Sequence, residues 1–191
     1  MNHDQILNDL KNKVYHPVYF LTGEETYYID LISDYIEKSV LDAAERDFNQ
    51  SVLYGKDSDI TTIISEAKRY PMMANHNVVI IKEAQHLSKE IELLEAYLEQ
   101  PTPTTILVLC YKYKKIDGRK KFGKTLKEKT VYFETKKLWD NQVPEWISEY
   151  LKNKNYTITP QASLLIAEFL GTDLGKIVND PFNLFTVSGC I

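Results

Sequence analysis

The first candidate for reactive or ligand-binding groups lies just past the first apolar run. Val18-Tyr19-Phe20-Leu21 leads through Thr22-Gly23 into Glu24-Glu25-Thr26-Tyr27-Tyr28-Ile29. A strand that turns on glycine into a helix is where a G-x-x-x-x-G-K-[ST] loop wraps nucleotide phosphates. Its backbone N–H groups cradle the anion, its lysine reaches the β- and γ-phosphates, and its hydroxyl holds Mg²⁺. Here that place has one glycine, no lysine, and the carboxylates of Glu24 and Glu25 where a polyanion would rest. Like charges repel, so the pattern opposes phosphate binding and NTP hydrolysis. The companion metal motif fails too. Val78-Val79-Ile80-Ile81 is followed by Lys82-Glu83, which puts an ammonium where Mg²⁺ needs a carboxylate. His3, His16, His76 and His86 are scattered without ligand spacing, and no Ser/His/Asp or Cys/His set stands out. No catalytic residue, metal or cofactor is expected.

Two other features ask for a role. The first is Pro71-Met72-Met73-Ala74, set between a helical stretch and the polar turn Asn75-His76-Asn77. Proline lacks an N–H and stops a helix, so two large apolar side chains fall between a helix end and a turn. Methionine is unbranched and polarizable, which suits an adaptable apolar pocket on a partner. The plainer reading folds both methionines back into the core. The second feature is the stretch Lys112–Lys137. It holds ten lysines and Arg119 against Asp117, Glu128 and Glu134, a local +8 in a chain of net charge −4. Lys120, Lys124 and Lys127 fall at i, i+4 and i+7, one ridge of like charge. That ridge reads as a solvated face, as a contact with DNA phosphates, or as an interface with an acidic neighbour.

Hydrophobic periodicity sets out the strands and helices that carry these groups. Thr22-x-x-Glu25 offers a capping-box start for a helix over about 25–40, with Tyr28, Leu31, Ile32, Tyr35 and Ile36 on one face. A weaker strand lies around 49–54. Ser58 or Asp59 can cap a helix that turns Ile60, Ile63, Ile64 and Ala67 inward. Val78–Ile81 and Thr105–Leu109 are continuous apolar runs, the mark of parallel strands buried on both faces. Ser88 can cap a helix carrying Ile91, Leu94 and Leu98. A Lys-rich helix with Phe122 and Leu126 inward precedes the last strand, Val131-Tyr132-Phe133. Strand and helix thus alternate through the first 138 residues, which predicts a doubly wound α/β domain with a mainly parallel five-stranded sheet. Residues 139–191 read as a small all-helical domain. Val143, Trp146, Ile147, Tyr150 and Leu151 form one stripe. Thr159-Pro160 starts a helix carrying Ala162, Leu165, Ile166 and Phe169 up to Gly171, and Thr172 can cap a third with Leu174, Ile177 and Val178.

Composition agrees with a folded chain. Of the 191 residues, 43% are hydrophobic and 26% charged, which excludes general disorder. No apolar run approaches the roughly 18 residues of a membrane span. The start, Met1-Asn2-His3-Asp4-Gln5, lacks the layout of a secretory signal. Cys110 and Cys190 form no CxxC pair, so neither a disulfide scaffold nor a structural zinc site is expected, and a cytoplasmic location is.

In order and spacing these segments resemble the delta subunit of the bacterial DNA polymerase III clamp loader. The resemblance runs from about residue 5 to residue 178. It is carried by Val18–Glu25 with its tyrosine-rich helix, and by Ala67-Lys68-Arg69-Tyr70-Pro71-Met72-Met73-Ala74 followed by the β-rich strand and Lys82-Glu83-Ala84. The basic stretch Lys112–Lys129 and the helical segments around Leu138-Trp139, Trp146-Ile147 and Ala162 to Leu174 complete it. The resemblance implies an AAA+/RecA-like domain with a degenerate loop at Gly23, Glu24 and Glu25, followed by a helical lid. It implies no ATP hydrolysis by this chain, although the subunit belongs to a DNA polymerase holoenzyme. It implies binding to the ring-shaped sliding clamp, whose opening allows loading on primed DNA, and contacts with other loader subunits. The positions matching the family's clamp contact are Met72 and Met73, flanked by Pro71 and Ala74. Arg119, Lys120, Lys124 and Lys127 are candidates for a DNA or subunit contact. The alternative is a nucleic-acid-binding module acting through segment 112–137.

The likeness stops near the end. The family continues into a helical collar domain that this sequence lacks, and Asp180–Ile191 departs from the family pattern, with Pro181 breaking the last helix. A truncated or a frame-shifted end would explain both, and the sequence does not choose between them. Such a chain is expected to bind the clamp and to assemble poorly into a loader.

Overall fold

In the computed structural model the described residues are 1–179; Pro181, Cys190 and the rest of Asp180–Ile191 lie outside them. The chain forms two compact units, Met1–Thr135 and a second that begins at Lys136.

The first unit is built on five strands. They are β1 (Val18–Gly23), β2 (Gln50–Tyr54), β3 (Asn77–Lys82), β4 (Thr105–Lys112) and β5 (Val131–Thr135). All pairings are parallel and the order is β2-β3-β4-β1-β5. The apolar runs at 78–81 and 105–109 therefore occupy interior strands, where every residue is buried. Parallel strands need crossover helices, and these cover both faces. Val18, Phe20, Val79, Ile81, Leu107 and Leu109 meet α4 (Ile60–Ala67), α5 (Glu95–Glu99) and α6 (Lys121–Lys129). Tyr19, Leu21, Val78, Ile80 and Val108 meet α1 (His3–Lys11) and α2 (Thr26–Ser39) on the other face. The sheet is thus doubly wound, as its sequence pattern implies.

Several local expectations are corrected. Helix α2 is capped by Glu25, whose side chain accepts from the Tyr27 N–H; Thr22 is a strand residue whose hydroxyl donates to the Lys114 carbonyl at 2.9 Å. Its buried face is centred on Ile29, Ile32, Ser33 and Ile36, which leaves Tyr28, Leu31 and Tyr35 at the margin. Of the two cap candidates for α4, Asp59 accepts from the Thr62 N–H at 2.9 Å. The segment after Ser88 forms a 3-10 turn at 91–94 running into the short α5. Helices α1 and α3 (Ala43–Asn49) carry no long apolar stripe, yet each opens on a capping box, Asn2 with Gln5 and Asp42 with Glu45.

The second unit contains α7 (Val143–Asn153), α8 (Pro160–Leu170) and α9 (Leu174–Asn179). Thr159 caps α8 by accepting from the Ala162 N–H, and Gly171 ends it at φ 69°. The buried side of α8 is Ser163 and Ile166, whereas Leu165 and Phe169, expected inside, are exposed. Asp173, rather than Thr172, accepts from the first turn of α9 through the Lys176 N–H.

Candidate partner-binding site

The proline–methionine segment lies at the edge of the sheet where the strands begin, in the loop between α4 and β3. Helix α4 stops at Ala67, four residues ahead of Pro71, and side chains from other elements take up its last carbonyls. Asn77 Nδ2 donates to the Glu66 carbonyl at 2.9 Å, and the Tyr97 hydroxyl donates to the Ala67 carbonyl at 3.3 Å. Ala74 then packs with the core on the α1–α2 face, and the His76 ring meets Tyr15 edge-on at 5.1 Å. Pro71 and Ala74 are half-buried.

Between these fixed ends Met72 is 57% exposed and Met73 fully exposed, with Tyr70 exposed beside them. The apolar pair projects into solvent and does not fold back. Met73 has φ 55°, in the left-handed region that residues with a Cβ rarely adopt. Asn49, the last residue of α3 and almost fully buried, holds the loop from below. Its Oδ1 accepts the Met72 N–H, and its Nδ2 donates to the carbonyls of Met72 and Glu45 at 2.9 Å each. Asn49 is not among the residues that the sequence pattern singles out. The available signal was a lone asparagine ending a short capped helix.

The opposite edge, where a nucleotide would sit, is closed by its own groups. Gly23 has φ 128°, and a Cβ placed there would overlap the carbonyl and hydroxyl oxygens of Thr135 on β5. The Gly23 carbonyl accepts from the Tyr113 N–H at 2.9 Å, and the Thr135 hydroxyl donates to the Thr22 carbonyl at 3.3 Å. Glu24 is exposed and Glu25 buried in its capping role. Lys112 Nζ pairs with Asp30 at 2.6 Å; Lys82 Nζ pairs with Asp34 at 3.0 Å and Glu37 at 3.2 Å. Burial works to lower the Lys82 pKa, but hydrogen bonds and charge from Asp34 and Glu37 outweigh it and raise it. Burial pushes the neighbouring Cys110 thiol up to about 11, against smaller opposing effects of Ser33 and Lys82. Among the described residues no group of three His, Cys, Asp or Glu side chains converges as a metal site.

Half of the ten lysines in the basic stretch pair with carboxylates of the same chain. Lys120 pairs with Glu92 at 3.1 Å, Lys121 with Glu95 at 3.1 Å and Lys129 with Glu99 at 3.4 Å, all from the adjoining 91–99 segment. Lys115 reaches Glu134, and Arg119 folds onto Asp117. Lys120 is the N-cap of α6 rather than part of a continuous ridge. Lys124 is exposed, and Lys127 lies over the Tyr132 ring at 5.7 Å.

An all-parallel five-stranded sheet of this order, wrapped by helices and followed by a helical segment, is an α/β fold of the AAA+/RecA-like class. Domain III of the Thermotoga maritima replication initiation protein DnaA has that fold too, at TM-score 0.51 and 11% identity over 96% of this chain and 81% of its own.

Within the class, the chain belongs to the family described as DNA polymerase III, delta subunit, whose sequence model matches residues 19–136. It is 30% identical to DNA polymerase III subunit delta of Bacillus subtilis (strain 168), over 96% of this chain and 56% of that protein. It superposes on the B. subtilis DNA clamp loader delta protein with TM-score 0.78 and 28% identity, covering 98% of this chain and 58% of the other. The chain thus spans little more than half the length of these relatives. Among the described residues no helix is long and apolar enough to cross a membrane.

Proposed function

We propose that this chain is the clamp-engaging part of a clamp-loader delta subunit. Met72 and Met73, supported by Pro71 and Ala74, insert into an apolar pocket of the sliding clamp. The contact helps open the ring for loading on primed DNA in the cytoplasm, with ATP hydrolysis left to other loader subunits. The observation that carries this reading is a solvent-facing methionine pair on a loop tied down at both ends.

A rigid presentation matters because loop ordering at an interface otherwise opposes binding. Burying one such side chain contributes about 1.5–3 kcal/mol, so the pair supplies a large part of a micromolar contact, which corresponds to about −8 kcal/mol. Half of the lysines of segment 112–137, namely Lys112, Lys115, Lys120, Lys121 and Lys129, already hold acidic partners, which favours their reading as an internally paired face over DNA binding.

The test is retention on an immobilised bacterial sliding clamp. Met72→Ala/Met73→Ala is expected to bind about 100-fold more weakly than the unaltered chain, with unchanged thermal stability. Equal retention of the two would remove the site from these residues.

A further inference from the structure

We infer that Asn49 is a positioning residue for the methionine pair: it fixes the loop conformation that presents Met72 and Met73 without touching the partner itself. Its consequence for binding rests on the function proposed above; its structural part does not.

Three observations meet at this side chain. Asn49 is only 1% exposed, so it is not available to a docking protein. Its amide faces both backbone groups of one residue 23 positions away, taking the Met72 N–H and returning a proton to the Met72 carbonyl. A carboxamide carries an acceptor and a donor on one planar group, so it can pair a residue as a neighbouring strand would. The second Nδ2 proton goes to the Glu45 carbonyl in the last turn of α3, which uses both donors. One side chain therefore closes α3 and fastens the loop.

The third observation is the backbone beyond it. Met73 stands at φ 55° with its side chain wholly in solvent, where packing of its own cannot hold it. A residue persists in that region only when its surroundings determine it. The groups holding this loop are the Asn49 amide on the Met72 side and the Ala74–His76 packing on the other. Without the amide, the half-buried N–H and carbonyl of Met72 lose their partners and the loop has reason to rearrange.

The experiment pairs clamp binding with amide exchange. Asn49→Ala is expected to weaken clamp binding about tenfold. Asn49→Asp keeps an acceptor for the Met72 N–H but loses both donors and sets a buried carboxylate against the carbonyls of Met72 and Glu45, so it is expected to weaken binding at least as much as Asn49→Ala. Added to Met72→Ala/Met73→Ala, Asn49→Ala should cause no further loss, because it acts through residues already removed; a merely structural role would still add its own effect. In the unaltered chain the Met72 amide should exchange with deuterium more slowly than the Met73 amide, and in Asn49→Ala that contrast should vanish.

A folded Asn49→Ala that binds as tightly as the unaltered chain overturns the inference. So does a Met72 amide that exchanges as fast as that of Met73 in the unaltered protein. Should Asn49→Ala not fold, the exchange contrast in the unaltered chain decides. Should the unaltered chain show no clamp affinity, the proposed function falls, and the exchange contrast still judges the anchor.

Discussion

The two edges of the sheet end in different ways. Where the strands finish, Gly23 lies against Thr135, Lys112 against Asp30, and Lys82 against Asp34 and Glu37. Where β3 begins, buried Asn49, Asn77 and Tyr97 secure the backbone, and the apolar side chains of the loop point outward. In α/β sheets of this kind, ligands usually bind beyond the ends of the strands. Here that edge spends its polar groups on one another, and the opposite edge offers apolar surface. Under the function proposed above, a nucleotide-type frame serves as a rigid mount for a protein contact.

The comparison can be broken most severely at Gly23. Its φ of 128° and its closeness to Thr135 leave no room for a methyl group. Gly23→Ala should lower unfolding stability by about 3 kcal/mol or more in urea titration. An alanine variant as stable as the unaltered chain would show that this edge is open. A smaller effect is expected from nucleotide. With carboxylates at the helix start and lysines already paired, millimolar ATP with Mg²⁺ should raise Tm by less than about 1 °C, since only a ligand that binds the native state stabilises it. A shift of several degrees would restore a nucleotide role. The smallest effect belongs to the paired lysines. Lys120→Ala and Lys121→Ala should each move Tm by no more than about 2 °C, because exposed ion pairs contribute little. Neither should alter clamp binding. Salt-dependent binding to primed DNA that these changes abolish would favour the nucleic-acid reading.

Much of the frame is legible in the sequence because its signals are strong. Val78–Ile81 and Thr105–Leu109 are too continuously apolar for anything but buried strands, and the Gly23 turn and Thr159-Pro160 start are local chemistry. Helices α1 and α3 are not legible in that way. They are short and mostly polar, and their capping boxes are four-residue signals easily lost among polar residues. The exposure of Leu165 and Phe169 also escapes periodicity, which finds an apolar stripe and cannot say what covers it. The Met72-Met73 pair is legible as a position between helix end and turn. Asn49 is not, because its 23-residue separation from Met72 is closed only by the fold. The paired state of the lysines likewise depends on the 91–99 segment packing beside α6.

The chain has three methionines, Met1, Met72 and Met73, so methyl-labelled methionine gives a spectrum with an internal reference. Titration with unlabelled sliding clamp is the most direct measurement. Engagement through the loop requires the Met72 and Met73 methyl signals to shift or broaden as clamp is added, while that of Met1 stays in place. A complex that forms with both loop signals unmoved would contradict it.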